Sequence, residues 1–215
     1  MKNILFDFGG VFVDLDMGAV NMGIQTYLGT TMQGLYHRYS EVFDGFETGH
    51  LSENDFVDAV AGMGLPKNKI VDIWNSMLIG IPKKRIDFLH SIQGKHNLYL
   101  YSNTNSFQEK ALNQLMQKHH GISLIEFRNA FDDTWFSHDI GYRKPGKEGF
   151  EYIIKETGID PRETLFIDDS ESYLQGAKAV GMQTILHDVS NDIADVFDAY
   201  LTSIMNGANS EKRKI

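Results

Sequence analysis

Residues 3–11, N-I-L-F-D-F-G-G-V, decide how the rest of the chain is read. The segment from Asn3 to Phe8 is an apolar run interrupted by one carboxylate, Asp7, and followed at once by Gly9 and Gly10. Such a run is a buried strand, and its ending presents Asp7 at the edge of a sheet. The two glycines let the main chain turn sharply and come close to a ligand. Taken alone, the stretch has two readings: Asp7 caps a turn after a strand, or it is a reactive carboxylate. A reactive Asp needs partners elsewhere in the chain.

Outward from that strand, Val11–Asp16 (V-F-V-D-L-D) alternates apolar and acidic residues like a short β-ribbon. From Met17 to Gly80 the pattern is helical and punctuated by glycine, with aromatics at Tyr27, Tyr36, Tyr39, Phe43 and Phe46. Ser52 is placed as an N-cap with Asp55 at the capping-box position, ahead of an apolar face of Phe56, Val57 and Val60. This segment reads as an all-helical insertion. Beyond it, helices are expected over 83–94, 106–118, 146–157, 172–180 and 192–204, and strands over 97–101, 134–137, 164–167 and 182–186. Residues 206–215 are polar and read as a disordered tail.

Strands alternating with helices at this spacing predict an α/β fold, a doubly wound parallel sheet with helices on both faces. Its core is expected from 1–16 and 81–205, with the helical insertion at 17–80. In such sheets ligands bind beyond the carboxyl ends of the strands. Three strands end there in polar groups: Asp7, Ser102 with Asn103, and Asp168 with Asp169.

Composition narrows the function classes. With 215 residues, 42% hydrophobic and 23% charged, the chain suits one large domain or a core with a smaller insertion. There is no cysteine, which excludes a disulfide framework, a thiolate zinc site and a cysteine nucleophile. The net charge of −9 argues against a nucleic-acid partner but allows a small anion in a locally positive pocket. The start is apolar only over Ile4–Phe6 and does not read as a signal peptide; no apolar run has the length of a membrane span, so a cytoplasmic location is expected. The oligomeric state is left open.

Placed side by side, the strand ends assemble a site. Asp7 can attack phosphorus and form an aspartyl-phosphate. Carboxylate and phosphate repel, so the attack needs a cation, and Asp168 and Asp169 can hold Mg2+ together with Asp7 and the Gly9 carbonyl. Lys144, in G-Y-R-K-P-G-K, can add a fixed positive charge, and Ser102, Asn103 and the turn after them can hold phosphoryl oxygens. Each residue also has a plainer reading: Lys144 as a surface charge, Ser102 as a turn cap, the Asp pair as a solvated loop. Asp14 and Asp16 read as the solvated side of the ribbon, and Lys83-Lys84-Arg85 as a solvated helix face. His119 and His120 read as structural. In the insertion, His37, Arg38 and Glu47 are the candidates for touching substrate.

Four segments in order, D-F-G-G-V at Asp7, Y-L-Y-S-N at Ser102, R-K-P at Lys144 and L-F-I-D-D at Asp168 and Asp169, resemble the haloacid dehalogenase superfamily over nearly the whole chain. The resemblance implies a Rossmann-like core, a helical cap at 17–80, magnesium, and most often phosphatase activity on a small phosphorylated metabolite. More narrowly, D-F-G-G-V-F-V-D-L-D, F-E-T-G-H-L-S, Y-S-N-T-N and the R-K-P segment are similar to the subgroup containing α-D-glucose-1-phosphate phosphatase. Two positions depart from the superfamily pattern. Gly9 stands where a second Asp usually protonates the leaving oxygen, a contribution of about 10²–10⁴-fold. Its loss favours leaving groups that depart easily, such as an anomeric sugar, and weakens a phosphomutase reading. Tyr173 stands where Asn or Asp usually orients the site. The expected function is magnesium-dependent hydrolysis of a small phosphomonoester, a sugar phosphate. The alternatives are a metal-independent 2-haloacid dehalogenase, which the Asp168–Asp169 pair argues against, and a catalytically weak ligand-binding protein.

Overall fold

The computed structural model describes residues 1–212. The chain begins with β1 (Asn3–Phe6) and, after the glycine turn, a two-residue β2 (Asp14–Leu15). Four helices follow, α1 (Met17–Leu28), α2 (Met32–Glu47), α3 (Glu53–Gly62) and α4 (Ile70–Asn75), and then β3 (Leu78–Gly80). The alternating part comprises α5 (Lys83–Ile92), β4 (Asn97–Ser102), α6 (Ser106–His120), α7 (Leu124–Arg128), β5 (Asp133–Phe136) and α8 (Ser137–Ile140). It ends with α9 (Lys147–Thr157), β6 (Thr164–Asp168), α10 (Glu171–Ala179), β7 (Gln183–Leu186) and α11 (Ile193–Lys212).

The main sheet has the order β5-β4-β1-β6-β7, all parallel. β1 is central, with Phe6 opposite Leu100 on one side and Ile167 on the other. Successive residues of β1 feed opposite cores: Ile4 and Phe6 pack with Leu89, Leu112 and Phe197 on one face, and Leu5 with Phe150, Ile153 and Leu174 on the other. A parallel sheet covered on both faces needs apolar residues at every position, which is why these strands read as continuous runs. The doubly wound parallel sheet expected from the sequence is present. Among the described residues no helix is long and apolar enough to cross a membrane.

Residues between β2 and β3 form their own cluster around Phe43, Phe46, Phe56, Ile70 and Trp74, joined by Phe107 from α6. Ser52 caps α3 by accepting from the Asp55 amide at 3.2 Å, but its hydroxyl also donates to the Asp55 carboxylate at 2.6 Å. The shorter acid therefore does not close a full capping box.

Several expectations are corrected. Of the ribbon expected at 11–16, Asp14–Leu15 is strand, and its antiparallel partner is β3, across the whole helical segment. Arg85 is not on a solvated face; it is buried and donates to the Phe12 carbonyl at 3.1 Å and to Asp14 at 2.8 Å. Asp16 is exposed, as expected, and in addition caps α1 by accepting from the Ala19 amide. Two short helices, α7 and α8, stand where none was expected. The last helix, α11, is described to Lys212; residues 213–215, the end of the tail expected to be disordered, lie outside the described residues.

Candidate active site

The site lies at the carboxyl ends of β1, β4 and β6, on either side of the central strand. The Asp7 amide continues the pairing of β1 with β6 by donating to the Ile167 carbonyl at 2.9 Å. The chain then turns tightly, with the Phe12 and Val13 amides both donating to the Phe8 carbonyl and the Gly10 amide to the Val13 carbonyl. Gly10 holds φ at +72°, and a Cβ there would lie 2.3 Å from Oδ2 of Asp169. Glycine at this position is what lets the Asp169 carboxylate approach the β1 turn.

Asp168 ends β6 with no exposed surface. Its Oδ1 accepts from the Ser170 amide at 2.8 Å and its Oδ2 from Lys144 Nζ at 2.6 Å. Lys144 Nζ also donates to Asp7 Oδ1 at 2.5 Å. The lysine is wholly buried, its ammonium about 5 Å from the rings of Tyr173, Phe166 and Tyr101. Asn103 positions it: the side-chain amide donates to the Lys144 carbonyl at 2.8 Å while its oxygen accepts from the Lys144 amide at 2.9 Å. This two-point grip occupies the Asn103 side chain, which the sequence reading assigned to substrate. Ser102 is buried at the end of β4, and its hydroxyl donates to the Asn103 carbonyl at 3.5 Å.

Charge in this space is unbalanced. Asp7, Asp168 and Asp169 each offer a carboxylate oxygen within 4.8 Å of the others, with one ammonium among them. Burial pushes the Asp7 carboxyl above its ordinary value, with Lys144 opposing the rise and Asp168 adding to it. Burial, then the adjacent Asp168 charge, also raises Asp169. Burial works against the charge on Lys144, but Asp168 and Asp7 outweigh it and hold the ammonium above its ordinary value. Three hard oxygen donors with excess negative charge and no His or Cys among them suit a hard divalent cation such as magnesium. The donor set fits.

Above the carboxylates opens a cavity of about 800 Å³. Asp7, Gly9, Ser102, Asn103, Asp169 and Tyr173 line its floor, and residues of α1, α2 and α4 line its walls, including Asn21, Gln33, Tyr36, Glu47, Phe43 and Trp74. Lys144 and Asp168 lie beneath this surface. Of the three insertion candidates, Glu47 lines the cavity, whereas His37 and Arg38 are exposed and do not. Asp14 pairs with Arg85 and stays outside it. His120 hydrogen-bonds the Ile81 carbonyl at 2.7 Å.

One residue went unread in the sequence. Arg143, beside Lys144, reaches across to α2: it donates to Glu47 and to the Tyr36 hydroxyl and pairs with Asp44, with its guanidinium over the Tyr36 ring. The available signal was its adjacency to Lys144 in R-K-P; its partners, about a hundred positions away, had no signature.

A family model described as haloacid dehalogenase-like hydrolase matches residues 1–181. The chain is 30% identical over 190 residues to a D-ribitol-5-phosphate phosphatase of Bacteroides thetaiotaomicron, covering 86% of this chain and 90% of that one. A HAD family enzyme from Bacteroides thetaiotaomicron, solved as a magnesium complex, superposes with a TM-score of 0.79 at 28% identity, over 92% of this chain and 98% of that one. A predicted HAD-like hydrolase from Porphyromonas gingivalis superposes with a TM-score of 0.81 at 25% identity, over 94% and 98%.

Proposed function

The chain belongs to the haloacid dehalogenase-like hydrolases, and on that premise we propose that its cavity is the active site of a magnesium-dependent phosphatase for small sugar or polyol phosphates. One observation carries this reading: three chain segments bring Asp7, Lys144 and the Asp168–Asp169 pair together under a single cavity. Support for a sugar-like substrate comes from the D-ribitol-5-phosphate phosphatase relative and from the polar groups of Asn21, Gln33 and Tyr36 on the cavity wall. A cytoplasmic setting, expected from the sequence, belongs to this reading.

In the proposed reaction Asp7 attacks the phosphorus, the ester oxygen departs, and water then hydrolyses the aspartyl-phosphate. Asp7, Asp168, Asp169 and the Gly9 carbonyl would hold magnesium, whose charge offsets the repulsion between carboxylate and phosphate. Lys144, fixed by the Asn103 grip, keeps positive charge against the transferring group, and Ser102 contributes a hydroxyl to its oxygens. The helices at 17–80 act as the cap that closes over the organic part of the substrate and limits water.

Asp7→Asn is expected to reduce magnesium-dependent phosphate release to background; undiminished release would end the proposal. A chelator is expected to abolish turnover and added magnesium to restore it. A dehalogenase working without metal would keep its activity under chelation, and the oxygen-ligand cluster weighs against that alternative.

A further inference from the structure

A phosphomonoester of an ordinary alcohol leaves as an alkoxide unless something delivers a proton to it. Among the described residues three carboxyl groups line the cavity, those of Asp7, Asp169 and Glu47. Asp7 and Asp169 belong to the nucleophile and the metal-ligand set, and Gly9, two residues beyond Asp7, offers only main chain. Glu47 is therefore the one cavity carboxyl with no other chemical task. We propose that Glu47, carried by the helical insertion, protonates the leaving oxygen, with Arg143 as the residue that positions its carboxyl. The proposal rests on the phosphatase reading above.

The geometry of the pair bears this out. Glu47 is the last residue of α2, and its side chain is only 20% exposed. Both guanidinium contacts fall on one of its oxygens: Arg143 Nε lies 3.0 Å and Nη2 2.9 Å from Oε2. Among the described residues no protein group hydrogen-bonds Oε1. Arg143 thus fixes the carboxyl by one oxygen and leaves the other for the cavity. The guanidinium also pairs with Asp44, so its charge is shared between two carboxylates.

The charged and titratable groups that face Glu47 are Arg143 and Lys144 from the core loop, Asp44 from its own helix and Tyr173 from α10. Burial raises the Glu47 carboxyl above its ordinary value despite Arg143, which favours the protonated form an acid must start from. Two phenols also line the cavity, Tyr36 and Tyr173. The Tyr36 hydroxyl already donates to Asp44 at 2.6 Å, and burial raises it above its ordinary value. The Tyr173 ring stands against the Lys144 ammonium at 5.1 Å, and burial pushes its phenol further up, so both phenols are weaker acids than the Glu47 carboxyl.

An Asp7 oxygen forms a bond to phosphorus as the P–O ester bond breaks, the electron pair goes to the ester oxygen, and the Glu47 proton joins it to give the free alcohol. Glu47, now a carboxylate, takes a proton from the attacking water. The water oxygen bonds to phosphorus and the bond to Asp7 breaks, restoring both carboxyl groups and releasing phosphate. Because Glu47 rides on the insertion while Arg143 belongs to the core, the acid is in place only when the insertion is seated on the core.

Leaving-group chemistry separates this role from a structural one. The wild type, Glu47→Gln, Glu47→Asp and Tyr173→Phe would be assayed with magnesium on p-nitrophenyl phosphate, whose phenolate departs without a proton, and on ribitol 5-phosphate and glycerol 3-phosphate. In Glu47→Gln the loss in kcat/KM on the alkyl esters should exceed the loss on the aryl ester by about 10²-fold or more. Glu47→Asp should recover part of that difference. Equal losses on both classes, including a collapse of all activity through misfolding with no alkyl-selective deficit in Glu47→Asp, would overturn the proposal. So would an alkyl-selective loss in Tyr173→Phe but not in Glu47→Gln. Wild-type turnover of the aryl ester, and its disappearance in Asp7→Asn, reports on the phosphatase reading separately.

Discussion

Gly10 meets two constraints at once: its φ of +72° and the Asp169 carboxylate 2.3 Å from where a Cβ would sit. A side chain there would incur left-handed strain of about 1–2 kcal/mol and displace a proposed metal ligand. Gly10→Ala is expected to raise the magnesium concentration needed for half-maximal phosphatase activity. Gly9→Ala should raise it less, since its Cβ would meet only the Leu15 side chain, at 3.2 Å. A magnesium titration of the two variants checks the order. The sequence marked both glycines as turn residues but could not rank them, because the carboxylate that crowds Gly10 lies some 160 positions away. Asn103 is a similar case. Its place after β4 was legible, but its grip on the Lys144 peptide depends on the loop before α9 arriving beside it.

Among the elements, the short ribbon β2–β3 and helix α6 tie the insertion to the core. The ribbon joins the two ends of the insertion, and Arg85 at the start of α5 holds its first strand through the Phe12 carbonyl and Asp14. Phe107, near the start of α6, belongs in sequence to the core yet packs into the insertion's aromatic cluster, 5.1 Å from Phe46 and 6.2 Å from Phe56 between ring centroids. Removing a buried phenylalanine ring typically costs about 3–5 kcal/mol. Phe107→Ala is expected to lower stability by this order in urea denaturation, although the substituted residue lies outside the insertion. Periodicity located α6 and α3 well, because each buries one stripe and starts at a capping residue. It missed α7 and α8, whose five and four residues are too few to show a helical period.

For the whole molecule, acid stability has an identifiable contributor in His187. This buried imidazole follows β7, and neither ring nitrogen finds a partner among the described residues. Burial, then the nearby Arg85 charge, lowers its proton affinity below the ordinary value of 6.5. The unfolded chain therefore takes up a proton near 6.5 that the folded chain refuses, and stability falls as pH drops through that value. Denaturation between about pH 7.5 and 5.5 should show a shallower loss for His187→Phe than for the wild type. On the same scale, the sequence by itself determined the sheet and which strand ends carry polar groups. Continuous apolar runs alternating with helices suit a parallel sheet covered on both faces, and such strands bring Asp7, Ser102, Asp168 and Asp169 to one edge. Only the tertiary structure decided which groups meet across that edge. The burial of Arg85, the reach of Arg143 to Glu47 and the placing of Phe107 in the insertion arise between segments tens to a hundred residues apart. Local periodicity describes how each segment folds, whereas these pairings depend on how the folded segments pack.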